Sequence, residues 1–351
     1  MKRILHIASF QGNTGDQLSH RGLYNILSRF EVEIEKLEIR DYYISAEDRK
    51  FFNEHFVQQA NKYDLIIFGG GGFFDFWVEE SQTGTTFDIS KRELDKISVP
   101  FLFLSLGAKP HKKTTDVSRE RFINFLLYLE KRSDWTYITR NDGTYNELLN
   151  LIGRPLKNVI AGLDNAFYFK REHQKENFDK RKYITINVSH DQLEMHSKRV
   201  VDFDIESYYR NLANWLEQNA REYILKFILH IPEDVIGVHN VIRHLSSNTR
   251  KKRIEIVGYS SEANHLDEII STYQNAEFSI CARLHSNILA ILTSGNVVKY
   301  SALSRVDSVF ETFRVQPKKE FDLICFDSIE VSKVVDSNRL ELERVLSTYL
   351  A

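Results

Sequence analysis

Arg283 and His285 stand two residues apart in FSICARLHSNILAILTSG (278–295), a run that is otherwise apolar or small. Charged side chains are rarely buried without a partner, so this pair needs either a ligand or an ion-pair partner. On an extended segment residues i and i+2 share a side, which would turn both toward one ligand. A helix starting near Ser286 would aim its positive end at the same place. Guanidinium suits forked binding of carboxylate or phosphate, and imidazole changes charge near neutrality. The chemistry expected here is an anion site with a titratable group beside it. Arg140, in WTYITRND (135–142), also sits where a strand runs out. For Arg140 and Arg283 taken singly, a buried ion pair is the competing reading. His230 ends another apolar run, and Arg305 follows a third.

Two glycine-rich stretches add places where a backbone can approach a ligand. GNTGD (12–16), with Asn13 and Asp16, suits a tight turn that offers N–H groups from a helix start, where anions are favoured. Taken alone it reads more simply as a strand-to-helix turn capped by Asp16. The four glycines 69–72, with Gly70 and Gly71 at their centre, lack the Lys-Ser/Thr of a phosphate loop, and GxGxxG is absent. In the FFDFW that follows, Phe73, Phe74 and Phe76 read as core. Trp77 is the candidate for exposure and for stacking on a sugar. There is no HExxH, CxxC or GxSxG, and the twelve histidines are scattered, so no metal site and no hydrolase elbow are expected. Asp202-Phe203-Asp204 imitates a metal-binding DxD but precedes a helix and reads as its cap.

These residues need strands and helices to hold them. Continuous apolar runs at 3–10, 32–39, 64–72, 100–107, 135–142 and 158–164 alternate with helix-like segments, and the pattern restarts at 183–189, 225–232, 253–259, 278–282, 296–302 and 321–326. Such strands indicate parallel sheets covered on both faces. Leu23, Ile26, Leu27 and Phe30 form one helical face, and Ser45 with Asp48 suggests a capping box for a helix through residue 60. Further helices are expected near 118–131, 143–152, 261–276 and 337–349. The fold class is therefore α/β, with two Rossmann-like doubly wound domains facing a cleft. The expected domains are 1–170 and 183–335, with a charged linker at 171–182 and a C-terminal helix at 336–351. Ligands of such sheets bind beyond the carboxyl ends of the strands.

At 351 residues, two domains are the natural division. With 47 basic and 49 acidic residues the net charge is −2, which argues against nucleic acid as a partner. The two cysteines, Cys281 and Cys325, lie in apolar runs and read as buried thiols of a reducing compartment. The N-terminal apolar stretch reads as a first strand rather than a signal peptide, and no run is long enough to span a membrane. A cytoplasmic protein is expected.

Taken together, these pieces resemble the polysaccharide pyruvyl transferase family. The match runs nearly end to end: GNTGD, DLIIFGGGG (64–72), the Arg-x-Asp of ITRND, GLDNAF (162–167) and, most specifically, ARLHSNILAILTSG followed by Tyr300. The resemblance implies a glycosyltransferase-B-like fold. It also implies transfer of the enolpyruvyl carbons of phosphoenolpyruvate onto two hydroxyls of a sugar, giving a pyruvate ketal and phosphate, with no cofactor besides that co-substrate. It points to Arg140, His285 and Arg305 as catalytic, with Arg283, Ser286, His230, Tyr300, Asn13 and Gly70 as further substrate contacts. The acceptor, placed near Asp16, Gly71 and Trp77, is a sugar of a surface glycan or its precursor, whether free, lipid-linked or polymeric. Position 305 is usually lysine in the family, and arginine keeps the charge without readily giving up a proton. Asn165 stands where proline is usual. His285 is the candidate acid toward the methylene carbon; accepting the hydroxyl proton or only binding phosphate are its other roles. Rival readings are a nucleotide-sugar glycosyltransferase and a catalytically silent carbohydrate-binding protein on the same fold. The first is disfavoured because SNILAILTSG (286–295) lacks the acidic residue that would hold a ribose.

Overall fold

The structure is a computed structural model and describes residues 1–110, 112–170, 181–260, 265–319 and 321–350. Two compact units result. The first comprises Met1–Phe10, Ser19–Phe169 and Val335–Ala351, and the second Gln11–Leu18 and Lys170–Val334. The glycine turn and first helical residues thus group with the second unit, and the end of the chain with the first. The expected linker lies almost wholly at 171–180, outside the described residues.

The first unit carries six parallel strands: β1 (Lys2–Ala8), β2 (Val32–Glu38), β3 (Leu65–Gly71), β4 (Phe101–Leu106), β5 (Trp135–Thr139) and β6 (Val159–Ala161). Their order is β2-β1-β3-β4-β5-β6. Every residue of β3 and β4 is buried, which is why LIIFGGG and FLFLSL show no apolar-polar alternation. Helix Asp116–Leu129 buries Phe122, Phe125, Leu126 and Leu129, one face at i, i+3, i+4 and i+7. Thr115 and Ser118 close its start as a capping box. The core is aromatic: Phe68, Phe74, Phe103, Trp135 and Tyr137 are all fully buried.

The second unit carries β7 (Tyr183–Asn187), β8 (Ile224–Ile228), β9 (Ile254–Val257), β10 (Ser279–Cys281), β11 (Asn296–Lys299) and β12 (Leu323–Cys325). The order β12-β11-β10-β7-β8-β9 is the dinucleotide-fold order 3-2-1-4-5-6 read from the other edge. Tyr209, Leu212, Ala213 and Leu216 bury one face of helix Ile205–Asn219, and Asp204 caps it by accepting from the Glu206 N–H. The DFD stretch is thus a cap.

Several local expectations change. β12 runs antiparallel to β11 at the sheet edge, so Cys325 is exposed and only Cys281 is a buried thiol. Ser45 and Asp48 start no helix: the helix is Glu54–Ala60, capped by Asn53, whose side chain accepts from the Phe56 N–H. The last helix is Ser328–Leu350, and it ties back to the first unit through Arg29–Glu343 (2.5 Å) and Thr136–Tyr349 (2.6 Å). Among the described residues no helix is long and apolar enough to cross a membrane.

Candidate functional site

In the second unit the strand order reverses between β7 and β10, which are paired in parallel. That junction is where such sheets bind ligands. The chain leaving β10 reaches Arg283, which has extended backbone and opens helix Leu284–Leu292. His285 is therefore in the first helical turn, not on an extended segment, so the expected i, i+2 placement on one side of a strand does not hold. The Arg283 backbone N–H donates to Asn187 Oδ1 at the end of β7 (3.0 Å), so the switch point is stitched by its own strand ends.

The Arg283 guanidinium is engaged by two carboxylates. Nε and Nη2 donate to Asp234 (3.1 and 2.5 Å), and Nη2 also donates to Asp191 Oδ1 (2.5 Å). Burial works against its charge, and Asp234 and Asp191 outweigh that, raising its pKa. Burial pushes the Asp234 carboxyl up, and Arg283 pulls against it. The ion pair that the sequence left as an alternative is present.

His285 packs against the glycine turn. A Cβ placed on Gly15 would lie 2.2 Å from His285 Nδ1, so only glycine admits the imidazole there. Beside it the Thr14 N–H donates to the His230 carbonyl (2.9 Å), docking the start of helix Thr14–Leu27 on the same cluster. Asn13, rather than Asp16, supplies the turn's cap: its Oδ1 accepts from the Gly15 N–H (2.8 Å). Asp16 is buried in the first helical turn. Burial first, then the Arg283 cation and the neighbouring His285 and His265, pushes the His230 imidazole well below its ordinary pKa. Its Nε2 meets the Tyr273 hydroxyl (3.0 Å), while Nδ1 is buried without a protein partner, as is Thr14 Oγ1.

The remaining candidates are placed as follows. The Ser286 hydroxyl donates to the Arg283 carbonyl (2.8 Å), closing the helix start. Tyr300, after β11, is core: its ring stacks on Phe321 (centroids 4.5 Å apart) and its hydroxyl donates to the Tyr208 carbonyl (2.7 Å). Arg305 opens helix Arg305–Thr312 and is half-buried.

In the first unit Arg140 lies under its own acidic shell. Nε donates to Asp142 (2.7 Å), Asp164 is 3.9 Å away, and Asp75 adds its charge. Burial opposes the guanidinium charge, but these three carboxylates raise its pKa overall. A Cβ on Gly107 would sit 2.4 Å from Arg140 Nη2, so the bare backbone of β4's exit makes room for the guanidinium. Gly70 has a positive φ (88°), and Gly71 backs onto the Phe73 ring. Phe73, Phe74 and Phe76 are buried, whereas Trp77 is half-exposed with the Lys112 ammonium 3.7 Å from its ring centroid.

Sequence reasoning named Arg283 and His230 but not Asp191, Asn187, Asp234 and Tyr273, which hold them. Asn187 ends β7, while Asp191 and Asp234 lie in the first turns of the helices that follow β7 and β8, so the strand-end rule reaches the first and must be extended into the next helix to reach the other two. Among the described residues no group of three or more His, Cys, Asp or Glu side chains is arranged to hold a metal ion.

The family model for polysaccharide pyruvyl transferase matches residues 13–300. The chain belongs to that family. Residue 13 falls in the glycine turn and residue 300 is Tyr300, so the match takes in β2 through β11, strands of both sheets. No curated protein sequence matches the chain. Among solved structures, a Listeria monocytogenes protein named as a UDP-N-acetylglucosamine 2-epimerase is similar with a TM-score of 0.52 and 10% identity, over 97% of this chain and 88% of that one. A structure titled OtsA apo is similar with a TM-score of 0.50 and 8% identity, over 99% of both chains. At such identities the likeness is one of fold: two Rossmann-like domains of the glycosyltransferase-B type. Membership of that family supports a transferase that acts on polysaccharide, with a sugar as acceptor.

Proposed function

We propose that the protein moves the enolpyruvyl carbons of phosphoenolpyruvate onto two hydroxyls of one sugar in a surface glycan or its precursor, forming a cyclic ketal and releasing phosphate. The observation that carries this reading is His285 at the β7/β10 switch point, packed on the start of helix Thr14–Leu27 and next to an anchored arginine. Helix starts present a positive end to an anion, and the second unit brings two of them, Thr14–Leu27 and Leu284–Leu292, to His285. Arg305 adds a cation one strand away, at the start of its own helix.

In this reading His285 gives a proton to the methylene carbon, and the oxocarbenium-like centre that results is attacked by a sugar hydroxyl. The second hydroxyl closes the ring as the carbon–oxygen bond to phosphate breaks. Of the two hydroxyl protons released, one restores His285 and the other leaves with phosphate. Helix starts and Arg305 stabilise the departing dianion. The acceptor is assigned to the first unit, near Gly71 and Trp77. Trp77 offers a half-exposed ring two residues beyond the buried Asp75, whose charge acts on Arg140.

The test is calorimetric titration with phosphoenolpyruvate, followed by phosphate release in the presence of candidate sugars. Saturable binding in the wild type, with turnover reduced ~10²–10⁴-fold in His285→Ala, is expected for a general acid. Trp77→Ala should weaken the acceptor and not the donor. Binding of a nucleotide-sugar in place of phosphoenolpyruvate would transfer the assignment to a glycosyltransferase.

A further inference from the structure

The two carboxylates on Arg283 are not equivalent. Asp234 is fully buried and takes the inner side of the guanidinium, Nε and Nη2, while also accepting the His230 backbone N–H (2.9 Å). Asp191 is 36% exposed and faces the terminal fork: Oδ1 on Nη2 at 2.5 Å and Oδ2 near Nη1 at 3.5 Å. That terminal fork is the geometry with which arginine binds a free carboxylate. Asp191 stands in the first turn of the short helix His190–Ser197, which follows β7 directly. It is thus a solvent-reachable carboxylate on the outward face of a cation whose inward face is already fixed.

We propose that the outward fork of Arg283 is the carboxylate subsite for the anionic donor and that Asp191 is its built-in occupant, displaced when the donor's carboxylate arrives. This rests on the reading of the donor as a small molecule bearing both carboxylate and phosphate. Asp234 keeps the guanidinium oriented throughout, so the exchange swaps one carboxylate for another on a pre-aimed cation. Asp191 then acts as a competitor that lowers donor affinity and keeps Arg283 paired in the empty enzyme.

The experiment is calorimetric titration of wild type, Asp191→Asn and Glu194→Gln with phosphoenolpyruvate, pyruvate and inorganic phosphate. Glu194 lies on the same short helix and controls for loss of one negative charge. Removing the competitor should tighten phosphoenolpyruvate and pyruvate ~3- to 10-fold, the scale of a partly exposed ion pair. Inorganic phosphate and the Glu194→Gln protein should change little. Three results would overturn the proposal: carboxylate affinity unchanged or weakened in Asp191→Asn, an equal gain for inorganic phosphate, or no carboxylate binding to either protein. Tighter pyruvate binding in Asp191→Asn, with phosphoenolpyruvate failing to bind at all, would keep the subsite and reject the donor assignment.

Discussion

Arg283 is anchored as a structural arginine at the place where the donor is proposed to bind. Its inner partner, Asp234, is fully buried, so removing the cation leaves a carboxylate in a low-dielectric site. Breaking such a pair from one side typically costs about 3–5 kcal/mol. Arg283→Ala is therefore expected to lose stability of that order in denaturant unfolding, where His285→Ala stays near wild type. If Arg283→Ala unfolds like wild type, the Asp234 pair is not what holds the switch point. The same contrast explains why His285 is the cleaner probe of catalysis: lost donor binding in an arginine variant would mix ligand contact with local collapse. Arg305 differs again, because it keeps the charge at the position where the family usually carries lysine and holds its proton more tightly.

At the scale of elements, the strand-to-helix turn after β1 carries more than a cap. Asn13 closes the turn, Thr14 bonds to the His230 carbonyl, and Gly15 admits the His285 ring. One methyl group tests the arrangement. Gly15→Ala would put a carbon 2.2 Å from His285 Nδ1, and the ring must move by about an ångström, which is enough to cost ~10²-fold in rate. The expected phenotype is a kcat that falls far more than stability does, with the melting temperature lower by roughly the few degrees that overpacking costs. Full activity in Gly15→Ala would mean that His285 does not need this helix start. In the first unit the corresponding device is Gly107, whose bare backbone accommodates Arg140 within its three aspartates.

For the whole molecule, each sheet has its own core, and surface charges connect elements far apart in sequence. Glu130, at the end of helix Asp116–Leu129, accepts from Arg154 (2.7 Å) and from the Lys157 N–H (3.1 Å), pinning the turn that leads into β6. The Arg154 hydrogen bonds, above all, bring its pKa from 4.5 down to about 2. A carboxyl whose folded pKa lies below its unfolded one contributes fully above the unfolded value, and loses that contribution as pH falls through the folded one. Glu130→Gln should therefore lower the melting temperature at about pH 7, and the gap to wild type should narrow toward about pH 2.5. A gap of constant size across that range would rule out ionic linkage at this turn.

The central strands could be read from sequence because they are buried on both faces, so β3 and β4 appear as the uninterrupted apolar runs LIIFGGG and FLFLSL, whereas the edge strand β2 alternates with charged residues. The family was legible for a similar reason: GNTGD and ARLHSN keep residue types that local geometry demands, glycine beside an imidazole and a charged pair at a strand end. Sequence could not choose between ligand and ion pair for Arg283, because that depends on Asp234 and Asp191, 49 and 92 residues away. Nor could it foresee that Gln11–Leu18 groups with the second unit, since chain order carries no record of which sheet a helix start packs against. Cys325 shows the same limit at a sheet edge: LIC looks like a core strand, and only its antiparallel place beside β11 exposes the thiol. Local patterns report which elements form. Which charges meet is decided by contacts between residues distant in sequence, and those exist only once the chain has folded.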